Sequence, residues 1–98
     1  MEPEKPYPRN LHHIFQDVSE VAYFEANTNY TFIHLKNGEK HLLSYTLKRF
    51  EEMLGDDLNF SRIHRSYLVN TRHIRHRSTC EVMLKDGLVL PVARRRRG

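Results

Sequence analysis

Apolar positions along the chain change period, and those changes predict its elements. VAYFEA, residues 21–26, alternates enough to suggest a half-buried strand. YTFIHL, residues 30–35, repeats the pattern, with Tyr30, Phe32 and His34 opposite Thr31, Ile33 and Leu35. LHHIF, residues 11–15, reads as a further short strand. LKNGEKHLL sets Asn37-Gly38 between two apolar runs, the strongest short hairpin signal, because a type I′ turn needs positive φ at both central residues. LKDGLVLPV repeats the device at Asp86-Gly87. In SYTLKRFEEMLG the apolar residues Leu47, Phe50, Met53 and Leu54 recur three and four apart, which predicts one helix. Ser44 or Thr46 can cap its start, and Gly55 supplies the left-handed residue at its end. The fold expected is mainly antiparallel β, with the helix packed across a sheet.

A segment between helix and last hairpin complicates that picture. RIHRSYLVNTRHIRHR, residues 62–77, holds five arginines, three histidines and no acid, yet Ile63, Tyr67, Leu68, Val69 and Ile74 run through it as in a folded core. If Phe60–His64 is a strand and Tyr67 to Val69 is anchored inside, His64, Arg65 and Ser66 are held on a short rigid connection. The apolar residues then pin the chain so that Arg65 is aimed; a flexible tail would only attract.

Charge sharpens the point. The net charge of +4 hides an asymmetry: nine of the sixteen Lys and Arg lie at 62–77 and 94–97, leaving seven bases against twelve acids, or −5, elsewhere. A localised basic face concentrates polyanions, nucleic acid or anionic membrane. At 98 residues, with 39% hydrophobic content, the chain is expected to form one domain at 11–98. It is preceded by a linker or N-terminal extension at 1–10, where Pro3, Pro6 and Pro8 oppose helix. One cysteine, Cys80, no apolar run near the roughly 18 residues of a membrane span and no signal-peptide stretch indicate a cytoplasmic protein.

Catalytic and metal chemistry find little support. His73 and His76 are three apart and His12 and His13 adjacent, but no second ligand pair stands at zinc-site spacing, so no metal is expected. Ser61, Ser66 and Cys80 lack a Gly-rich elbow and an orienting carboxylate, and the basic segment lacks the clustered acids of a nuclease. No enzyme activity and no cofactor are expected.

NFSRIHRSYLVNTRHI closely resembles the signature of the LytTR family of DNA-binding domains, found mostly as output modules of bacterial response regulators. The likeness runs through VAYFEANTNYTFIHLKNGEKHLLSYTLKRFEEML and on to LKDGLVLPVARR, nearly the whole chain. It implies a mostly β fold of small stacked antiparallel sheets with one peripheral helix, which reads DNA through loops entering successive major grooves. Carried onto these residues, the first DNA-facing loop is 27–31, with Asn29 the base reader and Tyr30 beside it. The second is His64, Arg65 and Ser66, with Arg65 the base contact, and the third begins at Arg94. Arg62, Arg77, Lys85 and Arg95 become phosphate-side candidates. The partner implied is double-stranded DNA, as direct repeats bound by two protomers, with a signalling domain covalently linked or separate.

Each assignment has a plainer alternative. Tyr30 also fits a β core position, Asn29 a turn residue and His64 a structural hydrogen-bonding residue, whereas Asn70 reads as a cap or brace. Arg65 has the weakest alternative, since nothing acidic lies near it in sequence. The chain departs from a typical response regulator: no receiver domain with its acidic phosphoacceptor pocket is read in these residues, so they carry no basis for phosphorylation control. Ala93 stands where the family often has serine, and the end at Gly98 leaves little room for a last turn. The competing class is a small β module binding RNA or an acidic partner by the same face. Single-stranded RNA would want exposed aromatics, and alternation places most of them inside.

Overall fold

The computed structural model describes residues 17–55 and 59–96. The expected linker at 1–10, the expected strand at 11–15, His12, His13 and Arg97 lie outside them. Among the described residues the order is β1 (Val21–Asn27), β2 (Tyr30–Leu35), β3 (Lys40–Leu43), α1 (Leu47–Leu54), β4 (Phe60–His64), β5 (Tyr67–Asn70), β6 (Ile74–Arg77), β7 (Glu81–Leu84) and β8 (Val89–Pro91). Five strands form one sheet, β3-β2-β1-β5-β4, and three form a second, β6-β7-β8. Every pairing is antiparallel.

Strand β1 is the hinge of the architecture, and it corrects the expectation of a half-buried strand. Val21, Ala22, Tyr23 and Phe24 are all buried. A register shift between Val21 and Tyr23 breaks the two-residue alternation, so Val21 and Phe24 join one core while Ala22 and Tyr23 join another. The first core is closed by α1: Phe24 meets Phe50 at 5.0 Å between ring centroids and Phe60 at 5.7 Å. The second is closed by the small sheet, where Val82, Leu84 and Leu90 cover Ile63 and Val69. Helix, large sheet and small sheet therefore stack as layers, with β1 and β5 between two cores.

Local chemistry explains the ends of the elements. Thr46 accepts the Arg49 N–H at 3.2 Å as the N-cap of α1, and Gly55 ends the helix at φ 60°. Both glycine hairpins form, but with three-residue connections in place of the expected type I′ turns. Gly38 and Gly87 have φ of 94° and 93°, while neither Asn37 nor Asp86 is in the left-handed region. Leu35 N–H donates to Glu39 O and Leu84 N–H to Leu88 O, each at 2.8 Å, closing loops of a type I turn with a glycine bulge. The Asn37 and Asp86 side chains accept the N–H groups of Glu39 and Leu88, at 2.8 and 3.0 Å, so the acceptor side chain supplies the local bond.

Asn70 is a brace, as expected. It is buried, its amide donates to Val21 O at 2.9 Å and Ser19 O at 3.3 Å, and its Oδ1 accepts from Arg72 N at 3.0 Å. His73, which follows, is buried at 7% exposure. Burial, with Lys36 and Lys85 against the opposing pull of Asp86, holds its imidazole below the ordinary 6.5.

His73 is therefore neutral in the folded protein at pH values where the unfolded chain has already bound a proton. Stability is full above pH 6.5 and declines as pH falls through 6.5 towards the lower folded value. Urea titrations at pH 7 and at acid pH are expected to show this loss, and His73→Gln is expected to flatten that limb.

Candidate nucleic-acid interface

Antiparallel pairing carries the chain's basic and polar tips to one end of the large sheet. Asn27 pairs with Tyr30 across the β1–β2 turn, and His64 pairs with Tyr67 across the β4–β5 turn. Because β1 and β5 are neighbours, with Glu25 opposite Tyr67, these two turns stand side by side. The Ala26 N–H donates to Ser66 O at 2.8 Å and ties them together. The third segment arrives from the small sheet: Val92 is buried, Ala93 N–H donates to Ile63 O at 2.8 Å, and Arg94–Arg96 then form a short 3₁₀ turn. Arg96 Nη1 reaches Arg62 O at 3.2 Å.

Between the second and third segments lies an open cleft of 550 Å³, lined by His64, Arg65, Ala93, Arg94, Arg95 and Arg96. Arg65, Arg94, Arg95 and Arg96 are exposed. Among the described residues no carboxylate forms an ion pair with any of them. Uncompensated guanidinium groups around an open cleft make a strong, directed positive field.

His64 is more specifically set than its neighbours. Its Nδ1 lies 3.0 Å from the Ser66 N–H, which can only donate, so Nδ1 is the acceptor and the neutral ring carries its proton on Nε2. Through Nδ1 the imidazole braces the turn, the structural role weighed as its alternative in the sequence, and Nε2–H is the ring's other donor. Tyr67 packs against the ring at 5.6 Å.

Arg62, a phosphate-side candidate, is largely engaged within the fold. Its side chain is only 16% accessible. Nε donates to His64 O and Nη2 to Arg65 O, both at 2.7 Å, while Nη1 pairs with Glu51 on α1. Burial, followed by the charge of Arg96, lowers its pKa, and a guanidinium still remains charged at neutral pH. The other candidates divide. Asn29 stands exposed in the β1–β2 turn, and Tyr30 is 47% exposed, which removes it from the core. Arg77 is exposed at the end of β6, where Val92 N–H binds Cys80 O at 2.8 Å and brings the neighbouring connection to the base of the third segment. Lys85 is at the other end of β7, its N–H on His73 O at 2.9 Å, because the β7–β8 hairpin turns away from the cleft. Glu51 and Arg96 were not among the residues singled out from sequence. Glu51 lies eleven residues before Arg62 on a different element, and no spacing rule connects them.

Thr28 in the first turn has φ 53°, the one described non-glycine residue in the left-handed region. A β-branched side chain is strained there. Its hydroxyl donates to Asn27 O at 2.7 Å.

A β module that gathers loops at one sheet end around an unpaired arginine cleft is, as a class, a nucleic-acid-binding domain. The family model described as "LytTr DNA-binding domain" matches residues 12–97, and the chain belongs to that family. It is similar to the sensory transduction protein LytT of Bacillus subtilis (strain 168), 32% identical over 87 residues, which cover 83% of this chain and 35% of that protein. The chain thus spans about a third of the length of that relative. Among solved structures it is similar to a LytTr DNA-binding domain from a Bacillus cereus protein assigned as a methyl-accepting/DNA response regulator. That match has a TM-score of 0.69 and 29% identity over 80% of this chain and 74% of the other.

Replacing Thr28 by asparagine, which tolerates the left-handed region, is expected to stabilise the fold by about 0.5–1 kcal/mol. The urea midpoint checks this; an unchanged midpoint would mean that the turn relaxes to negative φ in solution.

Proposed function

We propose that this domain regulates transcription by sequence-specific binding to double-stranded DNA, reading major-groove base edges through its loops. The observation that carries this reading is the cleft, in which His64 and Arg65 from one sheet face Arg94, Arg95 and Arg96 from the other, with no acid among the described residues paired to these four arginines. Arg65 presents a planar fork that suits the O6 and N7 acceptors of guanine, and Asn29 suits adenine. Arg94 is a further base-edge candidate at the start of the third segment. In this reading His64, through Nε2–H, and Ser66 donate beside Arg65, while Arg95 and Arg77 supply phosphate contacts that set register and affinity.

Two protomers on direct repeats, in the cytoplasm, under a signalling domain on the same or another chain, complete the proposal. Its support is the family's place in response regulators; among the described residues no helix is long and apolar enough to cross a membrane. Single-stranded RNA as the ligand is the weaker reading. It needs a platform of exposed rings, and among the described residues the exposed large hydrophobics are Tyr30, Leu42, Leu88 and Val89, of which Tyr30 is the one aromatic.

Selection from a random duplex library is expected to enrich two repeats about one helical turn apart, bound ~10³-fold more tightly than scrambled duplex at physiological salt. Enrichment of no motif would defeat specific readout. With roughly six phosphate contacts, log K should fall against log salt with a slope of about −5. Arg65→Ala is expected to cost about 1–3 kcal/mol on the selected site and to relax preference at one base position. A mutant that weakens selected and scrambled duplex alike would demote Arg65 to a phosphate contact. Competition by RNA of matched charge tests the weaker reading.

A further inference from the structure

Resting on the DNA-binding reading above, we infer that Arg62 is a positioning residue: anchored on Glu51 of α1, it shapes the turn that presents Arg65 and does not itself contact DNA. The turn needs such a device. His64 pairs with Tyr67, so Arg65 and Ser66 form a two-residue hairpin loop. The favoured two-residue loops place one or both central residues at positive φ, which matches the twist of the strands. Neither Arg65 nor Ser66 has positive φ, and the register slips between Arg62 and His64 just before the turn. A loop whose own backbone does not suit its strands has to be held from outside.

Arg62 holds it through the backbone. Its Nε and Nη2 take the carbonyls of His64 and Arg65, both at 2.7 Å, and Nη1 takes the Glu51 carboxylate. The two carbonyls belong to the peptide groups on either side of the Arg65 Cα, so capturing both fixes the direction in which the Arg65 side chain leaves the turn. A guanidinium is a rigid planar fork and can span three acceptors in one arrangement, whereas a lysine ammonium is a point charge on a flexible stem. Glu51 also offsets one positive charge beneath a cluster that includes Arg96, whose Nη1 rests on Arg62 O at 3.2 Å. One residue therefore connects helix, base-reading turn and C-terminal basic turn, the first two through its side chain and the third through its carbonyl. With 16% accessibility, it has little surface left for a phosphate.

The test uses the full chain as wild type, Arg62→Lys, Arg62→Gln and Glu51→Gln. Each is titrated with the selected duplex and with scrambled duplex over a salt series, after urea titration has established the folded fraction. A positioning role predicts that Arg62→Lys, at unchanged charge, loses ~10-fold on the selected duplex, with scrambled binding and salt slope unchanged. Glu51→Gln, which makes the domain more positive, is expected to lose about threefold or more on the selected duplex, opposite to what simple electrostatics gives. The inference is overturned if Arg62→Lys binds like wild type while Arg62→Gln weakens both duplexes equally and flattens the salt slope by about one, the signature of a phosphate contact. Amide NMR spectra without DNA keep the question separate from the function. In both Arg62→Lys and Glu51→Gln the Arg65, Ser66 and Tyr67 amides are expected to shift while those of the Asn37 turn stay. Unmoved 65–67 amides would sink the clamp whatever the DNA data show. Wild type that fails to prefer selected over scrambled duplex would sink the DNA reading and leave these shifts to decide the clamp.

Discussion

Everything in this domain depends on burying the same strands on both faces. In a chain of 98 residues one sheet face covered by a helix leaves too little apolar surface out of water for a secure fold. β1 and β5 solve this by lying between two cores, α1 closing one and the small sheet the other. The register shift after Val21 is what permits it, since strict alternation could not send Val21 with Phe24 and Ala22 with Tyr23. Both closing elements sit on the flanks, and the sheet end bearing the β1–β2 and β4–β5 turns stays open.

That end can therefore be built of residues that contribute little to folding. Its cost is electrostatic: exposed arginines crowd around the cleft with no acid among the described residues paired to them. The structure meets it with backbone bonds, each loop being held at its root. Ala26 holds Ser66, Ile63 holds Ala93, and Arg62 holds His64 and Arg65. Rooted loops lose less conformational entropy on binding than free ones, which is why aimed arginines recognise where a basic tail merely attracts.

Much of this was legible beforehand, for identifiable reasons. The helix and its Thr46 and Gly55 ends follow from local chemistry, as do the two glycine hairpins, although Gly38 and Gly87 serve as bulge residues in longer loops. The tight 64–67 turn followed from apolar residues on both sides of a polar triplet. The surroundings of Arg62 and Lys85 were not legible. The resemblance made both phosphate-side candidates, and nothing local shows that Arg62 faces α1 and finds Glu51 or that Lys85 follows a hairpin away from the cleft.

The sequence by itself determined the element types, the turn positions and the concentration of positive charge, because each arises from contacts within a few residues or from composition. Tertiary structure alone decided which charges share a cleft. Residues 64–65 and 94–96 meet because Ala93 pairs with Ile63 across the sheet boundary, and Arg62 is drawn towards the helix by the carboxylate of Glu51. Such meetings are set by how the layers stack, and no local pattern records them.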